Sequence, residues 1–223
     1  MPVNISAYQS IQATLVDQHV TLIAVSKTKP KEDLMELYTL GHRAFGENYV
    51  QELVDKEAAL PKDIQWHFIG HLQSNKVKYI APFVCMIHGV DSEKLLQEIN
   101  KQAMKQNSII DCLLQIYIAE EESKFGLDEK EVNEILEYVQ NDNNEMNHIR
   151  IVGLMGMATF TNNPAQVEKE FSRLKTIFNS YSNLNTKNCQ LNTLSMGMSG
   201  DYQLAIKCGS SMVRIGSSIF GGR

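Results

Sequence analysis

Between Thr21 and the C-terminus, short apolar runs alternate eight times with longer amphipathic ones, and few architectures accommodate that rhythm. The apolar runs are 21–27, 43–48, 64–70, 84–91, 109–119, 149–159, 193–198 and 211–222. They are rich in β-branched residues and hardly alternate with polar ones, as strands buried on both faces require. The segments between them carry helix punctuation. "KEDLMELYTLG" is entered at Pro30 and stopped at Gly41, and "SEKLLQEINKQAMKQ" opens on Ser92, a plausible N-cap. Eight such units predict an α/β fold, a single (β/α)8 TIM barrel spanning 1–223 as one domain. The amphipathic segment 5–19 adds an N-terminal helix before the first strand. An open doubly wound sheet satisfies the same alternation, because strand count does not prove closure.

Composition narrows the function classes. A net charge of −5 and the lack of a dense basic run argue against a nucleic-acid binder. No segment has the long apolar run of a membrane span, and "MPVNISAYQS" lacks a signal peptide's charged start and apolar middle. Cys85, Cys112, Cys189 and Cys208 are scattered without a CxxC pair, so free thiols and a cytoplasmic location are expected. His67 and His71 are four apart, but across a strand and its turn rather than on one helix face, which disfavours a metal site. No Ser-His-Asp arrangement, GxSxG, GxGxxG after a strand, or GxxxxGK[ST] pattern is present.

Barrels of this type keep their chemistry where strands end and βα loops begin. Lys27, Glu47, Asn48, His71, Asp91, Glu120, Ser199, Arg214 and Gly216 fall at those ends, although caps and turn residues gather there too. Lys27 stands out. Ile23, Val25 and Lys27 share one strand face, so an inward Val25 aims Lys27 inward at the mouth. Apolar surroundings there would depress the amine's pKa and favour the neutral nucleophile. Lys29 has the same parity but precedes Pro30, which ends the strand and turns Lys29 outward. Arg214 lies within an apolar strand and needs a partner: either a structural carboxylate, Glu47 or Asp91, or a ligand. The turns "GMSGD" (197–201) and "GSS" (216–218) follow the last two strands, where barrels build phosphate sites.

A lysine nucleophile, a phosphate cup and an arginine at one mouth match the needs of pyridoxal 5'-phosphate. The stretches "AVSKTKP", "FGENYVQE", "WHFIGHLQSNK", "GLMGMA", "LSMGMSGD" and "MVRIGSSIFG" together resemble the pyridoxal-phosphate homeostasis proteins of the YggS/PROSC type, from about residue 20 to the end. That resemblance implies a barrel similar to the N-terminal domain of alanine racemase, with the cofactor carried as an aldimine on Lys27. It further implies phosphate near Ser199, Gly216 and Ser217, Arg214 at the ring nitrogen, Met157 against the ring and Asn48 on the cofactor's hydroxyl side. Arginine only donates hydrogen bonds, so it holds the pyridine nitrogen unprotonated and makes a poor electron sink. Racemases add a tyrosine acid/base from a second domain. This chain ends at Arg223, right after its eighth strand, and the expectation is that no such domain follows. The function expected is therefore monomeric, non-enzymatic cofactor homeostasis, by buffering or by delivery to apo-enzymes. A small racemase-type enzyme is the alternative, and a phosphosugar barrel using Lys27 as a Schiff-base lysine a third. Lys124, in "ESKFG", is expected to be a solvated lysine near the rim.

Overall fold

The computed structural model describes residues 3–121, 125–141, 146–181 and 183–222. In chain order the elements are α1 (Ile5–Asp17), β1 (Thr21–Val25), α2 (Lys31–Thr39), β2 (Ala44–Glu47), α3 (Val50–Ala59) and β3 (Gln65–Phe68). A 3-10 turn, Ser74–Lys76, leads into α4 (Val77–Ile80), then β4 (Val84–Val90), α5 (Glu93–Lys105), β5 (Ile110–Ile116) and α6 (Glu129–Asn141). The last third holds β6 (Ile149–Gly156), α7 (Pro164–Ser180), β7 (Asn185–Thr186), β8 (Cys189–Met198), α8 (Tyr202–Lys207), β9 (Met212–Ile215) and α9 (Ser217–Phe220).

Eight of these strands close into a parallel barrel. β1 pairs with both β2 and β9, and the ring is completed by the β6–β8 and β8–β9 pairings. Closure removes the open-sheet alternative and leaves no exposed strand edge in the ring. Helix entries follow the side chains at their caps. Asn4 accepts from Ala7 N at 3.0 Å, Ser92 from Leu95 N at 3.3 Å, and Asn163 from the amides that follow Pro164.

Two differences from the sequence reading have local causes. The eighth strand stops at Ile215, and Ser217–Phe220 coils into a short helix behind Gly216, because no neighbouring strand continues beside it. β8 starts at Cys189 instead of 193, because the antiparallel pair Thr186↔Cys189 extends it backwards through a tight turn.

The core has two compartments. The larger lies between strands and helices; the smaller fills the barrel with Ile23, Met86, Leu113, Met155 and Met212. All four cysteines are free thiols, with Cys112 and Cys189 buried. Across the β6–β8 seam, the Gly153 backbone lies so close to the neighbouring strand that an added Cβ would strike the Thr193 carbonyl. Gly153→Ala is expected to cost about 1–3 kcal/mol of overpacking, a fall of roughly 2–12 °C in Tm for a domain this size. Gly222→Ala, which meets nothing within 4 Å, should stay within about 0.5 kcal/mol by the same thermal melt.

Candidate functional site

A cavity of about 670 Å³ opens at the C-terminal ends of the strands, and Lys27, Asn48, Met157, Ser199, Arg214, Gly216 and Ser217 all line it. The closed barrel thus brings residues from five strand ends, far apart in sequence, around one cavity. Gly216 matters sterically: an added Cβ would sit 3.1 Å from the Val25 carbonyl oxygen and 3.2 Å from the Val25 Cβ. Its bare backbone lets the end of β9 pass close beside the strand that carries Lys27. Ser199 accepts the Gly216 N–H on Oγ at 3.2 Å, joining the two glycine–serine turns.

The Lys27 turn is held from behind. Lys56, on α3, donates from Nζ to the Ser26 carbonyl, Glu47 Oε1 and Glu52 Oε1, each at 2.7 Å. Ser26 Oγ donates to the same Glu47 oxygen at 2.6 Å, and Glu52 accepts the Thr28 N–H at 2.6 Å. Lys56, Glu47 and Ser26 are all buried. Thr28 needs this support, because its φ of 62° lies in the left-handed region that a β-branched residue avoids. Burial raises the Glu47 carboxyl above the usual carboxylate range, with Lys56 pulling the other way.

Lys29 corrects one expectation. Its ammonium donates to the carbonyls of Phe220, Gly221 and Gly222 at 2.9–3.1 Å, so it fastens the C-terminal segment to the β1 turn instead of facing outward. Of the two kinds of partner open to Arg214, the structure removes the carboxylate, for neither Glu47 nor Asp91 pairs with it. Its guanidinium donates to the Ser195 carbonyl at 3.0 Å, Ser195 Oγ at 2.6 Å and the Gly156 carbonyl at 3.1 Å. Burial pulls its pKa down to about 10, opposed by the Asp201 carboxylate. Beneath it, His88 Nδ1 lies 3.4 Å from Ser195 Oγ, and His88 Nε2 lies 3.0 Å from His67 Nδ1. His67 is held at about 4 and His88 well below 6.5, in both cases chiefly by burial.

Other rim candidates do structural work. His71 contacts Asp91 at 3.1 Å and stacks edge-on against Phe125, and Glu120 pairs with the surface Lys169. Lys124 lies outside the described residues. Among the described residues, no group of three or more His, Cys, Asp or Glu side chains could hold a metal ion. Sequence reasoning missed Lys56 and Glu52, whose spacing reads as a solvent-facing helix pair. It missed Asp201, which closes its turn by accepting the Met198 N–H. It also missed Glu170, a buried carboxylate whose bonds to Thr159 N and Oγ1 and Glu120 N tie two rim loops together. A primary amine, a guanidinium and paired hydroxyls around one cavity suit a small anionic carbonyl compound.

The closed barrel, with its lysine after the first strand and arginine in the last, is of the class defined by the N-terminal domain of alanine racemase, whose family model matches residues 6–223. Within that class the chain belongs to the pyridoxal phosphate homeostasis protein family. It is 40% identical over 215 residues to the protein of that name from Pasteurella multocida, covering 95% of this chain and 90% of that one. The Schizosaccharomyces pombe protein of the same name is 40% identical over 216 residues, covering 96% and 88%. PipY of Synechococcus elongatus, solved with pyridoxal phosphate bound, is 32% identical with a TM-score of 0.82, covering 94% of this chain and 98% of that one. The alanine racemase of Streptomyces coelicolor shares the fold (TM-score 0.72, 13% identity), covering 100% of this chain and 60% of that one.

Two predictions follow from the buried network and the buried rings. Removing one partner of a buried ion pair strands the other charges, so Lys56→Met should destabilise the chain by about 3–5 kcal/mol in denaturant titration. His67 has a folded-state pKa below its unfolded value, so above about pH 6.5 it is neutral in both states and costs nothing. As pH falls from about 6.5 towards 4, the unfolded chain takes up the proton first. Stability then drops by up to about 1.4 kcal/mol per pH unit. Thermal melts at pH 7 and pH 5 should therefore differ more for wild type than for His67→Gln.

Proposed function

We propose that this chain holds pyridoxal 5'-phosphate as an aldimine on Lys27 and serves intracellular homeostasis of that cofactor, by buffering it or handing it to apo-enzymes. The observation that carries this reading is the composition of the cavity wall. It offers an amine, a buried guanidinium and two glycine–serine turns, while among the described residues no tyrosine, histidine or cysteine lines it. Of the charged groups there, Lys29 donates to three carbonyls, and Asp201 accepts from the Met198 amide.

The fit is supported residue by residue. The cofactor supplies an aldehyde; the Lys27 amine adds to its carbon, and water leaves as the carbon–nitrogen double bond forms. Ser199, Ser217 and the Gly216 backbone would hold the phosphate, with Met157 against the ring. The bonds of Arg214 to Ser195 and Gly156 use three of the five guanidinium N–H groups, so donors remain for the ring nitrogen. A donor-only arginine leaves that nitrogen unprotonated, which suits retention better than carbanion chemistry. Asn48 Oδ1 is buried without a partner, a polar atom suited to the cofactor's hydroxyl side. On this reading the protein is a cytoplasmic, monomeric carrier; its relatives' names, which speak of homeostasis, support the homeostatic part of the reading.

Purified protein given pyridoxal phosphate should develop the visible absorption of the aldimine, and Lys27→Ala should lose most of it. Incubated with a panel of L-amino acids and analysed by chiral chromatography, the loaded protein should leave every enantiomer unchanged. Conversion that Lys27→Ala abolishes would establish a racemase-type enzyme and overturn the carrier reading.

A further inference from the structure

We infer that His88 is a positioning residue: through Ser195, and backed by His67, it fixes the direction in which Arg214 presents its guanidinium to the cavity. The inference rests on the cofactor reading above only for the identity of what Arg214 meets. The geometry is a continuous chain. Arg214 Nη1 lies 2.6 Å from Ser195 Oγ, which lies 3.4 Å from His88 Nδ1, and His88 Nε2 lies 3.0 Å from His67 Nδ1. Every member is buried: His88 and Ser195 are 0% exposed, Arg214 4% and His67 5%.

The chain has a direction because arginine can only donate. With Arg214 occupying a lone pair of Ser195 Oγ, the hydroxyl proton turns to His88 Nδ1. That nitrogen is then an acceptor, so His88 carries its proton on Nε2 and donates it to His67 Nδ1. His67 in turn is the Nε2–H tautomer. Each link has one donor and one acceptor, and both rings stay neutral, chiefly because they are buried, with the Arg214 charge acting the same way on His88. A ring flipped to Nδ1–H would fill the second lone pair of Ser195 Oγ and leave its buried hydroxyl proton without an acceptor among the described residues, loosening the serine and with it the arginine.

The placement argues for function over packing. The side chains around this polar chain in the barrel interior, Ile23, Met86, Leu113, Met155 and Met212, are apolar. A polar chain there costs desolvation that an apolar pair would avoid. Here it ends on a side chain that lines the cavity.

Two measurements test the inference. In the cofactor-free wild type at pH 7, long-range ¹H–¹⁵N correlation of the imidazoles should show His88 and His67 neutral and protonated on Nε2. An Nδ1–H or cationic His88 would overturn the chain. Equilibrium binding is then compared between pyridoxal phosphate and its 1-deaza analogue, which lacks the ring nitrogen. His88→Phe should weaken pyridoxal phosphate roughly tenfold, equivalent to about 1.4 kcal/mol, leave the deaza analogue nearly unchanged, and be partly rescued by His88→Asn. Equal losses for both ligands, or none for either, would contradict a positioning role. Should His88→Phe fail to fold, Ser195→Ala makes the same comparison. If wild type bound neither compound, the cofactor reading would fall, and the tautomer measurement would still decide the hydrogen-bonded chain.

Discussion

The ammonium of Lys56 is the tie on which the candidate site depends. It is buried, and its three hydrogen bonds join α3 to both carboxylates and to the backbone carbonyl of Ser26, the residue before Lys27. A lysine would not be left there unpaired, because stripping an ammonium of water costs several kcal/mol that only charged partners offset. Glu47 and Glu52 do so, and each reaches onward to the turn, one through the Ser26 hydroxyl and the other through the Thr28 amide. Thr28 can therefore stay in a left-handed conformation worth about 1–3 kcal/mol of strain. The turn that presents Lys27 is thus set before any ligand arrives, which lowers the ordering cost of binding.

The neighbouring strand β9 is built by the same logic with different parts. Arg214 donates to two carbonyls and a hydroxyl, so its charge is solvated by dipoles and it keeps donors in reserve. Lys29 closes the remaining side by gathering the carbonyls of residues 220–222. One of the two lysines of this turn is thereby spent on architecture.

Much of this was legible in the sequence, and the reasons for the rest are physical. Eight apolar runs specify eight buried strands, and the parity of Ile23, Val25 and Lys27 needs only the alternation of a strand, so the strand count and the lysine's aim could be read directly, while closure rests on the β6–β8 and β1–β9 pairings. Pro30 marked the end of the strand but not the fate of Lys29, whose carbonyl partners lie some 190 positions away in sequence. Lys56 was hidden because Glu52 and Lys56 at i,i+4 look like any exposed helix pair; only burial against β2 distinguishes them. The His67–His88 contact depends on the register between β3 and β4, which shifts between Trp66 and His67 and leaves no local trace. Arg214 announced that it needed a partner, but the carbonyls it found carry no side-chain signature.

A crystal structure of the protein grown with pyridoxal 5'-phosphate tests the central claim most directly. The account predicts continuous density from Lys27 Nζ to the cofactor, phosphate against Ser199, Gly216 and Ser217, and the ring nitrogen facing Arg214. Continuous density to a different lysine, or a phosphate bound on another wall of the cavity, would contradict it.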